Sequence, residues 1–196
     1  MQRKEMVELI LRRLDEESES VAKQWANPAG TKTRHFVVDS LLPPAVAQQI
    51  YEAFPKSADG FFCRESFREK KKTSQDLSHY DPLLTEITYA IQDPAVVRKV
   101  EHLVGFKNIE PDPSLYAGGL SMMFRDDFLN PHIDNSHDAK RERYRRLNLL
   151  YYVTPGWSLE NGGNFELWDD EVKTPKTIVS QFNRLLVMET NKVSWH

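Results

Sequence analysis

The chain has 196 residues, a formal net charge of −3 and a sequence pI near 6.1. That length fits one domain, and 40% apolar and 11% aromatic residues are enough to build a substantial core. The near-balanced charge gives no general attraction to nucleic acid or to an anionic membrane, and no apolar run approaches the ~20 residues of a membrane span.

The first stretch, "MQRKEMVELILRRLDEESES", has charges breaking every apolar run and so lacks the continuous apolar core of a secretory signal. Cys63 is the only cysteine, which allows no internal disulfide and fits a reducing cytoplasm. Val7, Ile10, Leu11, Leu14, Val21 and Trp25 recur at helical spacing and predict one amphipathic packing helix over residues 4–25, followed by the loop "NPAGTKTR". "HFVV" reads as a short strand. "SLLPPAVAQQIYEAF" places prolines at a helix start, while "DPLLTEITYAIQ" and "DPAVVRKVEHLVG" each begin with an N-cap aspartate and a proline in the first turn. Between them, "CRESFREKKKTSQ" reads as a polar loop, with Lys70, Lys71 and Lys72 on a solvated face.

From Ser114 onward the texture changes to short segments rich in Tyr, Val, Leu, Phe and Met, punctuated by Gly, Asn, Pro and Asp: "SLYAGGLSMMF", "LNLLYYVT", "NFELW", "TIVSQF", "RLLVMET" and "KVSWH". Strands at that spacing without intervening helices predict an antiparallel sandwich or barrel with the earlier helices packed outside it. The expected fold is therefore mostly β with flanking helices. It is a single domain over 1–196, with a helical support region over about 1–110 and a β core over about 114–196.

Within that core, "FLNPHIDNSHD" sets His132 and Asp134 two positions apart. Six histidines and thirteen aspartates would produce such a spacing by accident in about four chains of ten, so the tripeptide alone carries little weight. In an extended segment, however, residues i and i+2 face the same way and can reach one ion. A metal that activates oxygen needs few protein ligands and several open positions, and two histidines plus one carboxylate on one face of an Fe(II) ion leave three. His196 is the candidate second histidine; His35, His79 and His102 lie in the helical half, and His137 sits in the polar run past the motif, read as exposed loop. "KRERYRR", residues 140–146, holds five positive charges and reads as a solvated hairpin or, alternatively, a rim attracting an acidic ligand.

In the strand "RLNLLYYV", Asn148, Leu150 and Tyr152 share one face and Leu147, Leu149, Tyr151 and Val153 the other. The two polar members make the first set the expected pocket lining. Gly162 and Gly163 read as a tight turn, and Trp195 either flanks the site or packs as an ordinary core tryptophan.

"FLNPHIDN", "RLNLLYYVTPGWSLENGGNFELW" and "NRLLVMETNKVSWH" together resemble the Fe(II)/2-oxoglutarate-dependent dioxygenases, specifically the prolyl-hydroxylase-like group. The resemblance runs from about Leu115 to the end. It implies a double-stranded β-helix, or jelly roll, with His132, Asp134 and His196 as iron ligands and 2-oxoglutarate as co-substrate, and ascorbate as a further cofactor. It also implies Tyr152, with Asn148 beside it, at the co-substrate, where the tyrosine hydroxyl meets the C5 carboxylate. The implied reaction is hydroxylation of an unactivated C–H bond by O₂, on a prolyl residue of a polypeptide or on a free amino acid or other small metabolite. Halogenation is disfavoured because Asp134 fills the position a halide would need. A final strand past His196, carrying an arginine or lysine that pairs with the co-substrate, is implied too, so the chain is expected to be C-terminally incomplete. The rival from another class is a non-catalytic jelly-roll binding module.

Overall fold

The computed structural model describes residues 1–116, 118–169 and 171–196. A helical apolar pattern opens the chain, but the expected single helix over 4–25 is broken into α1 (Arg3–Glu16) and α2 (Ser18–Ala26). Glu17 leaves helical geometry at φ −95° and ψ 7°, and Arg13 bridges both Glu16 (3.1 Å) and Glu17 (2.8 Å) across the break. The apolar residues stay in phase through the junction, so Met6, Ile10, Leu14, Val21 and Trp25 all reach one core.

Next come β1 (His35–Val38), α3 (Pro44–Ala53), β2 (Phe62–Glu65) and β3 (Glu69–Ser74). The polar segment expected to be a loop is therefore a β-hairpin. Its strands pair through the backbone, Phe62 opposite Thr73 and Glu65 opposite Lys70, while β2 is exposed along its whole length. Backbone hydrogen bonding makes this hairpin without an apolar face, so no hydrophobic alternation announces it. Lys71 pairs with Glu69 (3.0 Å) and Lys72 with the buried Asp127 carboxylate (2.5 Å), so two of the three lysines read as solvated are engaged.

Two further helices, α4 (Pro82–Ile91) and α5 (Pro94–Val104), begin as expected: Leu83 N–H donates to Asp81 Oδ1 (2.8 Å) and Ala95 N–H to Asp93 Oδ1 (2.9 Å). The remaining strands are β4 (Leu120–Met122), β5 (Phe128–Leu129), β6 (Leu147–Tyr152), β7 (Phe165–Trp168), β8 (Pro175–Ile178) and β9 (Arg184–Glu189). The predicted strand segment 114–124 is reduced to β4, with residue 117 outside the described residues, and "KVSWH" is irregular rather than a strand. Gly119 is required where β4 begins: at φ +87° a Cβ would stand 2.1 Å from Ser74 O. Gly162 and Gly163, at φ +70° and +58°, make the expected tight turn before β7.

The strands form antiparallel sets β1-β9-β6, β2-β3-β4 with β5 also on β3, and β7-β8. β9, "RLLVME", is the central strand of the first set and is buried on both faces. Leu185 and Val187, with Phe36 and Val38, pack against the helices; Leu186 and Met188 pack on Leu167 and Ile178 of β7-β8. The order of layers is thus helices, the β1-β9-β6 sheet, then β7-β8. Helices and antiparallel strands are thus mixed, with the strands concentrated in the second half of the chain. Among the described residues no helix is long and apolar enough to cross a membrane.

Candidate metal centre

His132 follows β5 and is fixed by its main chain. Its N–H donates to His196 O (2.9 Å) and His196 N–H donates back to His132 O (3.0 Å), the reciprocal pattern of a hydrogen-bonded antiparallel pair. On the other side of this terminal segment Trp168 N–H donates to Trp195 O (2.9 Å), tying it to β7. His196 is therefore held on two sides, and its side chain is 5% exposed.

Both rings are oriented alike. His132 Nδ1–H donates to Asn130 O (3.0 Å) and His196 Nδ1–H donates to Ser194 O (3.0 Å). A carbonyl only accepts, so each ring keeps its proton on Nδ1 and presents the Nε2 lone pair. The ring centroids lie 4.3 Å apart, and Phe165 stacks on His196 with centroids 5.6 Å apart. The two Nε2 atoms point at the same oxygen, Asp134 Oδ1, from 3.5 Å and 3.8 Å.

The other oxygen, Asp134 Oδ2, accepts from Arg145 Nη1 and Asn148 Nδ2, each at 3.2 Å. Burial pushes the Asp134 carboxyl up, but His132 and His196, whenever their rings also carry a proton on Nε2, and the Arg145 guanidinium outweigh it and hold the group well below the usual carboxylate range. Burial pulls the His196 imidazole below its ordinary value, against the opposing attraction of Asp134. Three lone-pair atoms thus converge with their ring protons committed elsewhere. They repel one another unless a cation lies among them, and Oδ1 stands 3.5 Å and 3.8 Å from the two ring nitrogens, separations that one shared ion can bridge. All ligating atoms lie within 4.8 Å of one another, and this is the one such cluster among the described residues.

Of the residues expected around this cluster, Asn148 reaches it through the Asp134 carboxylate. Tyr152 lies on the same face of β6, packed with Leu150 and Phe165 beside Leu167 and Ile178. Its hydroxyl is pushed up to about 12 by burial, against the Ser180 hydrogen bond and the charge of Arg184. Arg184 itself is spent on Asp39, at 2.6 Å and 2.9 Å, and on Val179 O at 2.8 Å. His137 is held by Ser136 (2.7 Å) and Tyr144 (ring centroids 4.4 Å), outside the cluster.

The sequence reading missed two contributors. Arg145 was one of five charges in a basic run; a hairpin closed by Asp138 N–H to Arg143 O (3.0 Å) and Arg145 N–H to Ser136 O (2.9 Å) turns it back onto Asp134. The tip of the β2–β3 hairpin also abuts the site: Asn130, two residues before His132, donates from its N–H to Arg68 O and from Nδ2 to Phe67 O, both at 2.8 Å. Charge patterning marks the first as basic but not as inward, and nothing in the pattern marks the second.

A search among curated proteins finds no match to the chain. Residues 118–196, the segment that contains His132, Asp134, Asn148, Tyr152 and His196, match the family model of the 2OG-Fe(II) oxygenase superfamily, whose members use Fe(II) and 2-oxoglutarate, and this supports a dioxygenase-type function for the chain.

Proposed function

We propose that the chain is an Fe(II)- and 2-oxoglutarate-dependent hydroxylase in which His132, Asp134 and His196 hold the metal. The observation that carries this reading is the convergence of His132 Nε2, His196 Nε2 and Asp134 Oδ1 with both Nδ1 protons bound to carbonyls. Two neutral imidazoles and one carboxylate on one side suit a metal that must keep open positions. With O₂ and 2-oxoglutarate, the bound iron supplies insertion of one oxygen atom into a C–H bond, with succinate and CO₂ as co-products.

The protein's own residues bind and orient. His132 and His196 are locked in one tautomer by Asn130 O and Ser194 O, and Phe165 shields one ring face of His196. Tyr152, neutral over the physiological range, donates its hydroxyl to the C5 carboxylate of 2-oxoglutarate, with Asn148 at the metal end of the same strand face. The packing of two strand layers through Leu186, Met188, Leu167 and Ile178 supports reading this core as a jelly roll. A prolyl residue of a polypeptide is the first substrate class, by the resemblance to the prolyl-hydroxylase-like group. Iron-dependent release of succinate from 2-oxoglutarate, stimulated by a prolyl peptide, tests the proposal. Succinate unaffected by His132→Ala would overturn the metal assignment, and stimulation by small amino acids alone would overturn the polypeptide.

A further inference from the structure

The Asp134 carboxylate is divided between two tasks. Oδ1 faces both imidazole Nε2 atoms, whereas Oδ2 is occupied by Arg145 Nη1 and Asn148 Nδ2 at 3.2 Å each. The two donors come from different places, Asn148 from β6 and Arg145 from the end of the 136–145 hairpin, so the carboxylate plane is fixed from two directions. Arg145 and Asp134 each have side chains only 15% exposed, which strengthens a charged hydrogen bond that solvent would weaken.

A carboxylate can hold an ion through one oxygen or through both. With both, Asp134 and the two histidines would fill four positions and leave two; with one, three remain, as a co-substrate chelating through two atoms together with O₂ requires. Resting on the metal-centre reading, we propose that Arg145 and Asn148 are positioning residues that occupy Asp134 Oδ2 and restrict the carboxylate to one-oxygen binding, so that a third position stays open. Neither residue touches the ion or the substrate; both act through Asp134.

Isotope-edited infrared difference spectra of the whole chain, apo against Mn(II)-loaded and labelled with ¹³C-aspartate, test this. The separation between antisymmetric and symmetric carboxylate stretches is wide for one-oxygen and narrow for two-oxygen binding. The wild type should show a wide separation. Arg145→Met should narrow it and weaken Mn(II) binding roughly ten- to a hundredfold, as loss of a partner of a metal ligand does. Asn148→Leu removes one donor and no charge, and provides the same readout should Arg145→Met fail to fold. A narrow separation in the wild type, or a wide one unchanged in the folded variants, overturns the positioning role alone. No Mn(II) uptake by the wild type would overturn the metal centre with it.

Discussion

Two faces of the same three strands do different work. On the helix side, Phe36, Val38, Leu185 and Val187, each at most 1% exposed, belong to a cluster of 23 buried residues among those described, most of them from the helices and their connections. On the opposite side, among the described residues, Leu186 and Met188 belong to a cluster of four buried residues with Leu167 and Ile178, edged by Tyr152 and Phe165 and leading to Asn148 and the Asp134 carboxylate. Neighbours in sequence such as Leu185 and Leu186 therefore serve the large closed core and the smaller, polar-ended one. Stability should be concentrated on the first face and ligand binding on the second.

The sharpest way to break that contrast is on the metal side. His132→Ala or Asp134→Ala should reduce Fe(II) affinity by more than about a hundredfold, beyond the usual cost of losing a ligand's partner, while cooperative unfolding of the metal-free protein is retained. Equilibrium dialysis and thermal melts check the two halves, and loss of folding in both variants would merge the faces. On the helix side, Leu185→Ala removes a fully buried side chain and should cost about 3–5 kcal/mol. Urea unfolding measures this, and Fe(II) affinity of the folded fraction should not change.

Tyr152→Phe sits between the two regions. Losing one hydrogen bond to a charged carboxylate, on the order of 1.5–3 kcal/mol, should weaken 2-oxoglutarate roughly ten- to a hundredfold with Fe(II) binding intact. An unaltered 2-oxoglutarate titration would place the tyrosine in packing alone. The smallest effect is in alkaline stability. With its folded value raised to about 12, Tyr152 keeps a proton that the unfolded chain releases at its lower, ordinary value. Its contribution is therefore complete below the unfolded value and is lost as pH rises through the folded one. The wild type should lose urea stability across that window more steeply than Tyr152→Phe, and parallel profiles would contradict the burial of the hydroxyl.

What could be read from sequence follows from where the determining interactions are local. The Asp81-Pro82 and Asp93-Pro94 caps act within one turn, and the apolar run of β9 marks a strand, so all three were visible. His132, Asp134 and His196 were legible through spacing and family resemblance, and they converge. The break at Glu17 was not, because an apolar stripe that stays in phase gives no sign of a local change in backbone angle. The β2–β3 hairpin was invisible because its pairing is carried by main chain under charged side chains. Arg145 was hidden for a third reason: its inward position depends on hairpin closure through Ser136 and Asp138, which residue type does not encode.

The most direct test of the central claim is anaerobic Fe(II) titration by equilibrium dialysis of the wild type beside Asp134→Ala. The convergence of three lone-pair atoms predicts one Fe(II) per chain in the wild type and none at the same free metal concentration in the variant. Equal uptake by both proteins, or none by the wild type, would contradict it.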